Sequence, residues 1–108
     1  MPARRPKPHD LKQSARLDLD AIWDYTAATW SDKQADAYVR AIAAAINHIA
    51  ANPELARERM EYDPPVRTYR HKAHIIIYRD LPDRVSIIRI RHGSEDWMND
   101  PSEGEADD

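Results

Sequence analysis

The chain contains no cysteine, which excludes disulfides, thiolate metal ligands and thiol nucleophiles and is compatible with a reducing compartment. No apolar run approaches the roughly 18 residues of a membrane span. The basic start, Met1-Pro2-Ala3-Arg4-Arg5-Pro6-Lys7-Pro8, carries no apolar segment that could serve as a signal peptide. A cytoplasmic location without membrane contact is therefore expected. Internal repeats are absent as well, and the five histidines show no ligand spacing such as His-x-x-x-His on a helix. Neither a metal site nor a cofactor is expected.

What is present is charge, unevenly placed. From Glu95 onward there are seven acids and no base, so residues 1–94 hold all 16 bases against the remaining 12 acids. Between Val66 and His92 the bases Arg67, Arg70, Lys72, Arg79, Arg84, Arg89 and Arg91 face only Asp80 and Asp83. A basic body of this kind favours anionic partners, nucleic acid or acidic protein.

With 108 residues there is room for one compact domain. Residues 1–8 read as an extended, flexible arm, residues 9–97 as the folded domain and residues 98–108 as an acidic, disordered tail. His9 to Gln13 is a weak first-strand candidate. From Ser14, a plausible N-cap, Leu19, Ile22, Trp23, Thr26 and Trp30 recur at helical spacing. Trp23 and Trp30 are accordingly expected in the core. Ser31 or Asp32 can cap a second helix, in which Ala35, Tyr38, Val39, Ile42, Ala45, Ile46 and Ile49 form a wide apolar stripe that stops at Asn52-Pro53. Residues 53–65 are too polar for a core element. Strands follow at Val66–Arg70, His74–Arg79 and Arg84–His92, the last two joined by a turn at Pro82. The order β-α-α-β-β-β predicts an α+β fold, a helix hairpin packed on one face of a small, mostly antiparallel sheet.

Strict alternation along the last strand puts Ser86, Ile88, Ile90 and His92 on one face and Val85, Ile87, Arg89 and Arg91 on the other. The preceding strand places Ile75, Ile77 and Arg79 likewise. Since one helix hairpin covers one face of a sheet, an apolar strip beside arginines is expected to lie open as a groove for a partner segment. Cover by residues 53–65 or by the N-terminal arm is the alternative.

Several stretches together resemble the ParE branch of the ParE/RelE toxin superfamily: Ala15 to Tyr25, Trp30, Gln34 to Tyr38, Ile49 to Pro53, Val66-Arg67, Ile77-Tyr78-Arg79 and Val85 to His92. The resemblance runs from about Asp10 to Asp96, and its specificity lies in the combination of motifs. It implies the β-α-α-β-β-β fold and the toxin of a bacterial type II toxin-antitoxin system, bound by a ParD-like antitoxin in a hetero-oligomer. It also implies inhibition of DNA gyrase by binding, without enzymatic activity. RelE relatives instead cleave messenger RNA on the ribosome. Two departures stand out, Pro64-Pro65 where the family usually has a glycine, and the acidic tail.

On this basis Ile75, Ile77, Arg79, Val85, Ile87, Arg89 and Arg91 are the expected antitoxin-binding residues, and Arg91, His92 and Trp97 the expected target contacts. Direct sequence-specific nucleic-acid binding is not expected. A ribonuclease would need a base or acid beside cations, and Arg67, Arg79, Arg89 and His92 are the candidates for that alternative. Parity opposes it, because His92 falls on the face opposite Arg89 and Arg91. An inactive antitoxin-binding module is a further alternative.

Overall fold

The computed structural model describes residues 7–95 together with Met98 and Pro101. Strand β1 (His9–Leu11) leads into helices α1 (Gln13–Thr29) and α2 (Asp32–Ala51), and a single 3-10 turn follows at Pro53–Leu55. Strands β2 (Glu58–Arg59), β3 (Val66–His71), β4 (His74–Asp80) and β5 (Val85–His92) complete a sheet of order β1-β5-β4-β3-β2. All neighbours are antiparallel except β1 and β5, which run parallel. The expected fold class holds, with a two-residue strand inside the segment read as a polar connection. The first strand owes little to its own pattern. It is held by its partner's backbone, with Val85 N–H donating to the Pro8 carbonyl at 3.0 Å and Lys12 N–H to the Ile87 carbonyl at 2.9 Å.

Ser31 caps α2 by accepting the Gln34 N–H at 3.1 Å, which supplies one of the unpaired donors of a helix start. Ser14 plays no such part. Helix α1 begins at Gln13 with Lys12 at the cap position, and Ser14 is buried in its first turn. Because the Ser31 cap follows α1 at once, Trp30 sits at the corner of the hairpin, 70% exposed, outside the core where its spacing placed it. Trp23 is half-buried, and its indole N–H donates to Asp36 Oδ1 on α2 at 2.9 Å.

Two apolar clusters flank the sheet. Ala15 and Ile22 of α1 and Ile42, Ile46 and Ile49 of α2 pack on Ile76, Tyr78, Val85, Ile87 and Ile90. On the other face Val66, Ile75, Ile77 and Ile88 form a second cluster with Tyr62 against it. Each fully buried isoleucine contributes roughly 1.5–3 kcal/mol by leaving water. Tyr78 is fully buried and donates its hydroxyl to the Pro53 carbonyl at 2.9 Å, which ties the end of α2 to the middle of the sheet. Burial pushes its phenol up to about 12.

The register between β4 and β5 slips once. Tyr78 pairs with Ile87 but Ile77 pairs with Arg89, so Ile88 is the extra residue of a β-bulge. Ahead of the bulge Val85 and Ile87 face the helices; behind it Ile90 does. Strict alternation had joined Val85 and Ile87 to Arg89 and Arg91, and the bulge separates them. His92, paired with His74, remains on the helix side, opposite the face on which Arg89 and Arg91 pair with Ile77 and Ile75.

Strand β1 shields only Val85–Ile87 of the β5 edge. Farther along, the Ile90 N–H donates to Asp18 Oδ2 at 2.9 Å and the His92 N–H to Glu95 Oε1 at 3.0 Å. Carboxylates thus occupy backbone donors that would otherwise invite another strand.

Candidate functional site

A cleft of about 420 Å³ opens where α1 diverges from the ends of β4 and β5. Ile22 and Ile90 lie at its floor, and Tyr25, Trp30, Tyr38, His74, His92 and Glu95 form its walls. The volume falls within the roughly 300–1,000 Å³ of binding pockets. Tyr25 is 71% exposed, so the rim carries two large aromatic rings facing water.

The inner wall is a linked aromatic array. Tyr38 Oη and His74 Nδ1 are 2.6 Å apart. The Tyr38 ring also meets His71 edge-on at 5.9 Å, and His74 meets His92 at 5.3 Å. Burial, followed by the charge of His92, holds the His74 imidazole below its ordinary value, against the pull of Glu95 and Asp18. Burial likewise raises the Tyr38 phenol. His92 Nδ1 accepts the Ser94 N–H at 3.1 Å. Burial works against ionisation of Glu95, but the His92 amide and the Arg91 guanidinium outweigh it and hold the carboxyl below its usual range. Among the described residues no group of three histidines, aspartates or glutamates is arranged to hold a metal.

The residues expected to form an open apolar strip are buried. Ile75 is 5% exposed, and Ile77, Val85 and Ile87 are fully covered. Val85 and Ile87 lie under the helices because of the bulge, while Ile75 and Ile77 lie in the second cluster, against which Tyr62 packs. The Tyr62 hydroxyl donates to the Met98 carbonyl, and Pro101 is buried. Residues of the 53–65 segment therefore contribute cover, as the alternative held.

The arginines are differently employed. Arg89 binds Asp18, with Nε to Oδ2 at 2.8 Å and a second guanidinium nitrogen to Oδ1 at 2.9 Å. Arg91 binds Glu95 across one residue quartet, Nε to Oε2 at 2.8 Å. Arg79 is half-buried opposite Ser86. Arg67 donates to the Ala56 carbonyl. His92 pairs with His74, at the end of β4 remote from Arg79; five residues of strand separate these positions by roughly 17 Å. The four residues named for a ribonuclease do not converge. Trp97 lies outside the described residues.

Sequence reasoning did not single out Tyr25 or the pairing of Tyr38 with His74. Tyr38 stood in the apolar stripe of α2 and His74 at the head of β4, and only the folded hairpin brings them together. Tyr25 carries a signal, since it lies three residues after Ile22 and so borders the apolar face of α1.

A family model described as ParE toxin of type II toxin-antitoxin system, parDE, matches residues 10–97. Toxin ParE1 of Caulobacter vibrioides is 35% identical over 88 residues, which span 82% of this chain and 91% of that protein. Toxin ParE1 of Mycobacterium tuberculosis is 32% identical over 83 residues, 76% of this chain and 85% of its own. A solved structure described as the chromosomal ParDE TA system from P. aeruginosa has the same fold, with a TM-score of 0.70 at 22% identity over 80% of this chain and 95% of that one.

Proposed function

This chain belongs to the ParE toxins of type II toxin-antitoxin systems, and we propose from that premise that it inhibits DNA gyrase by binding and is neutralised by a ParD-like antitoxin. The observation that carries the proposal is the family match over residues 10–97, nearly all of the described fold. The dispersal of Arg67, Arg79, Arg89 and His92 supports a binding mode of action over a nuclease one, because base and cations must act on the same phosphate.

On this reading the antitoxin supplies an acidic segment to the sheet face that carries Arg79 and Arg91. The isoleucines beneath serve as floor, since they are already buried. Carboxylate partners there make charge-assisted, orientation-specific bonds. Arg91, His92 and Trp97 are the proposed gyrase contacts, and the cytoplasm, where gyrase works, is the proposed location.

The test is a supercoiling assay with purified gyrase, run beside a translation-coupled messenger RNA cleavage assay. Loss of supercoiling, restored by a ParD-like protein encoded beside the toxin, is the expected result. Intact supercoiling with cleaved message would replace the proposal by a ribosome-dependent nuclease.

A further inference from the structure

Helix α1 shows water a face that its own fold does not use. Leu17, Ala21 and Tyr25 follow one another at four-residue intervals and are all exposed, Leu17 at 58% and Tyr25 at 71%. Trp30, just past the helix end, is 70% exposed and lines the same cleft as Tyr25. Four-residue spacing advances only about 40° per step around a helix, so these side chains form one slowly turning ridge, some 12 Å long from Leu17 to Tyr25. The ridge borders the cleft, whose wall it shares at Ala21 and Tyr25. Beside it, on the side away from the cleft, stand the exposed carboxylates of Asp20 and Asp24, neither of them in an ion pair among the described residues.

We infer that this ridge and cleft form a docking surface for a basic amphipathic helix of a partner protein, distinct from the arginine-bearing sheet face. Aromatic residues beside a pocket are the usual anchors of an interface, and a ridge of four-residue period packs against another helix. Asp20 and Asp24 select the sign of the partner's flanking charges. The same two charges repel an acidic segment of the kind that suits Arg79 and Arg91, so the two faces discriminate between partners by charge. The inference stands whichever protein occupies the sheet face.

The experiment follows backbone and indole resonances of the isotopically labelled full chain during titration with two model helices, a Leu/Lys amphipathic peptide of about five turns and its Leu/Glu counterpart. The Leu/Lys peptide is expected to move the resonances of Leu17, Ala21, Tyr25 and Trp30 and to bind at least about tenfold more tightly than the Leu/Glu peptide. Tyr25→Ala with Trp30→Ala, both exposed and tolerable to the fold, should abolish the shifts. Asp20→Lys with Asp24→Lys should invert the preference between the peptides. Equal affinity for both peptides, or shifts confined to β3–β5, would overturn the inference. So would self-association of the chain that vanishes in the Tyr25/Trp30 variant, because the face would then belong to a second copy.

Discussion

Arg89 and Asp18 hold the last strand to the first helix through two parallel bonds of 2.8 and 2.9 Å, and the Asp18 oxygen that takes Arg89 Nε also takes the Ile90 amide. Both side chains are about 15% exposed, so the pair is far less screened than a surface bridge. Removing Asp18 takes a two-bond carboxylate from a largely buried guanidinium and the acceptor from the Ile90 N–H at the same time. Asp18→Ala is expected to lower the unfolding free energy by about 3 kcal/mol, read as a fall in the urea midpoint. Asp18→Ala combined with Arg89→Ala should cost less than the two single changes added together.

The same pair dictates which arginines can report on antitoxin binding. Charge reversal at Arg89 would disturb the fold, and reversal at Arg91, which is 13% exposed and bonded to Glu95, would set two carboxylates against each other; the neutral pair Arg79→Gln with Arg91→Gln should leave the far-ultraviolet spectrum intact. The double variant is expected to bind a ParD-like antitoxin at least about tenfold more weakly. Unchanged affinity in a calorimetric titration would remove the sheet face from the interface.

Acid should weaken the fold through His74. Folding lowers the proton affinity of this imidazole, so below the ordinary histidine value of about 6.5 the unfolded chain binds a proton that the folded one resists. Stability is then complete above that value and declines as pH falls through the window between it and the lower folded value. Urea midpoints between about pH 7.5 and 5.5 should fall in the wild type and fall less in His74→Gln. An equal slope in the two proteins would assign the effect to other groups.

Tyr78→Phe isolates one buried hydroxyl. The ring keeps its place between the helices and the sheet, but the Pro53 carbonyl loses its 2.9 Å donor in a site closed to water. The expected cost is about 1–2 kcal/mol, or a melting temperature lower by several degrees. A variant as stable as wild type would mean that water reaches Pro53.

Much of this architecture is legible in one sequence because its causes are local. The stripe of α2, the Ser31 cap and the Asn52-Pro53 stop are each written in a few adjacent residues. Ile88 shows where legibility ends. A bulge depends on how two strands meet, and nothing in Val-Ser-Ile-Ile-Arg distinguishes a regular strand from one with an extra residue. Strict alternation therefore puts Val85 and Ile87 on the face away from the helices, whereas the bulge leaves them beneath the helices. Trp30 failed for a different reason: its spacing fitted the helix, but the helix had already ended. The cleft was invisible because Tyr25, Tyr38, His74 and His92 belong to four separate elements.

The carboxylates on the β5 edge carry a consequence for handling and storage. Asp18 and Glu95 act as stoppers on a strand that could otherwise recruit copies of itself into an endless ribbon. A stopper of this kind is removed by a proton. Since Glu95 stays ionised below the usual carboxylate range, the edge should stay blocked in mild acid, even where His74 already lowers stability, and open to fibril growth only in stronger acid. Thioflavin fluorescence against pH would trace that threshold, and Glu95→Gln should move it towards neutrality.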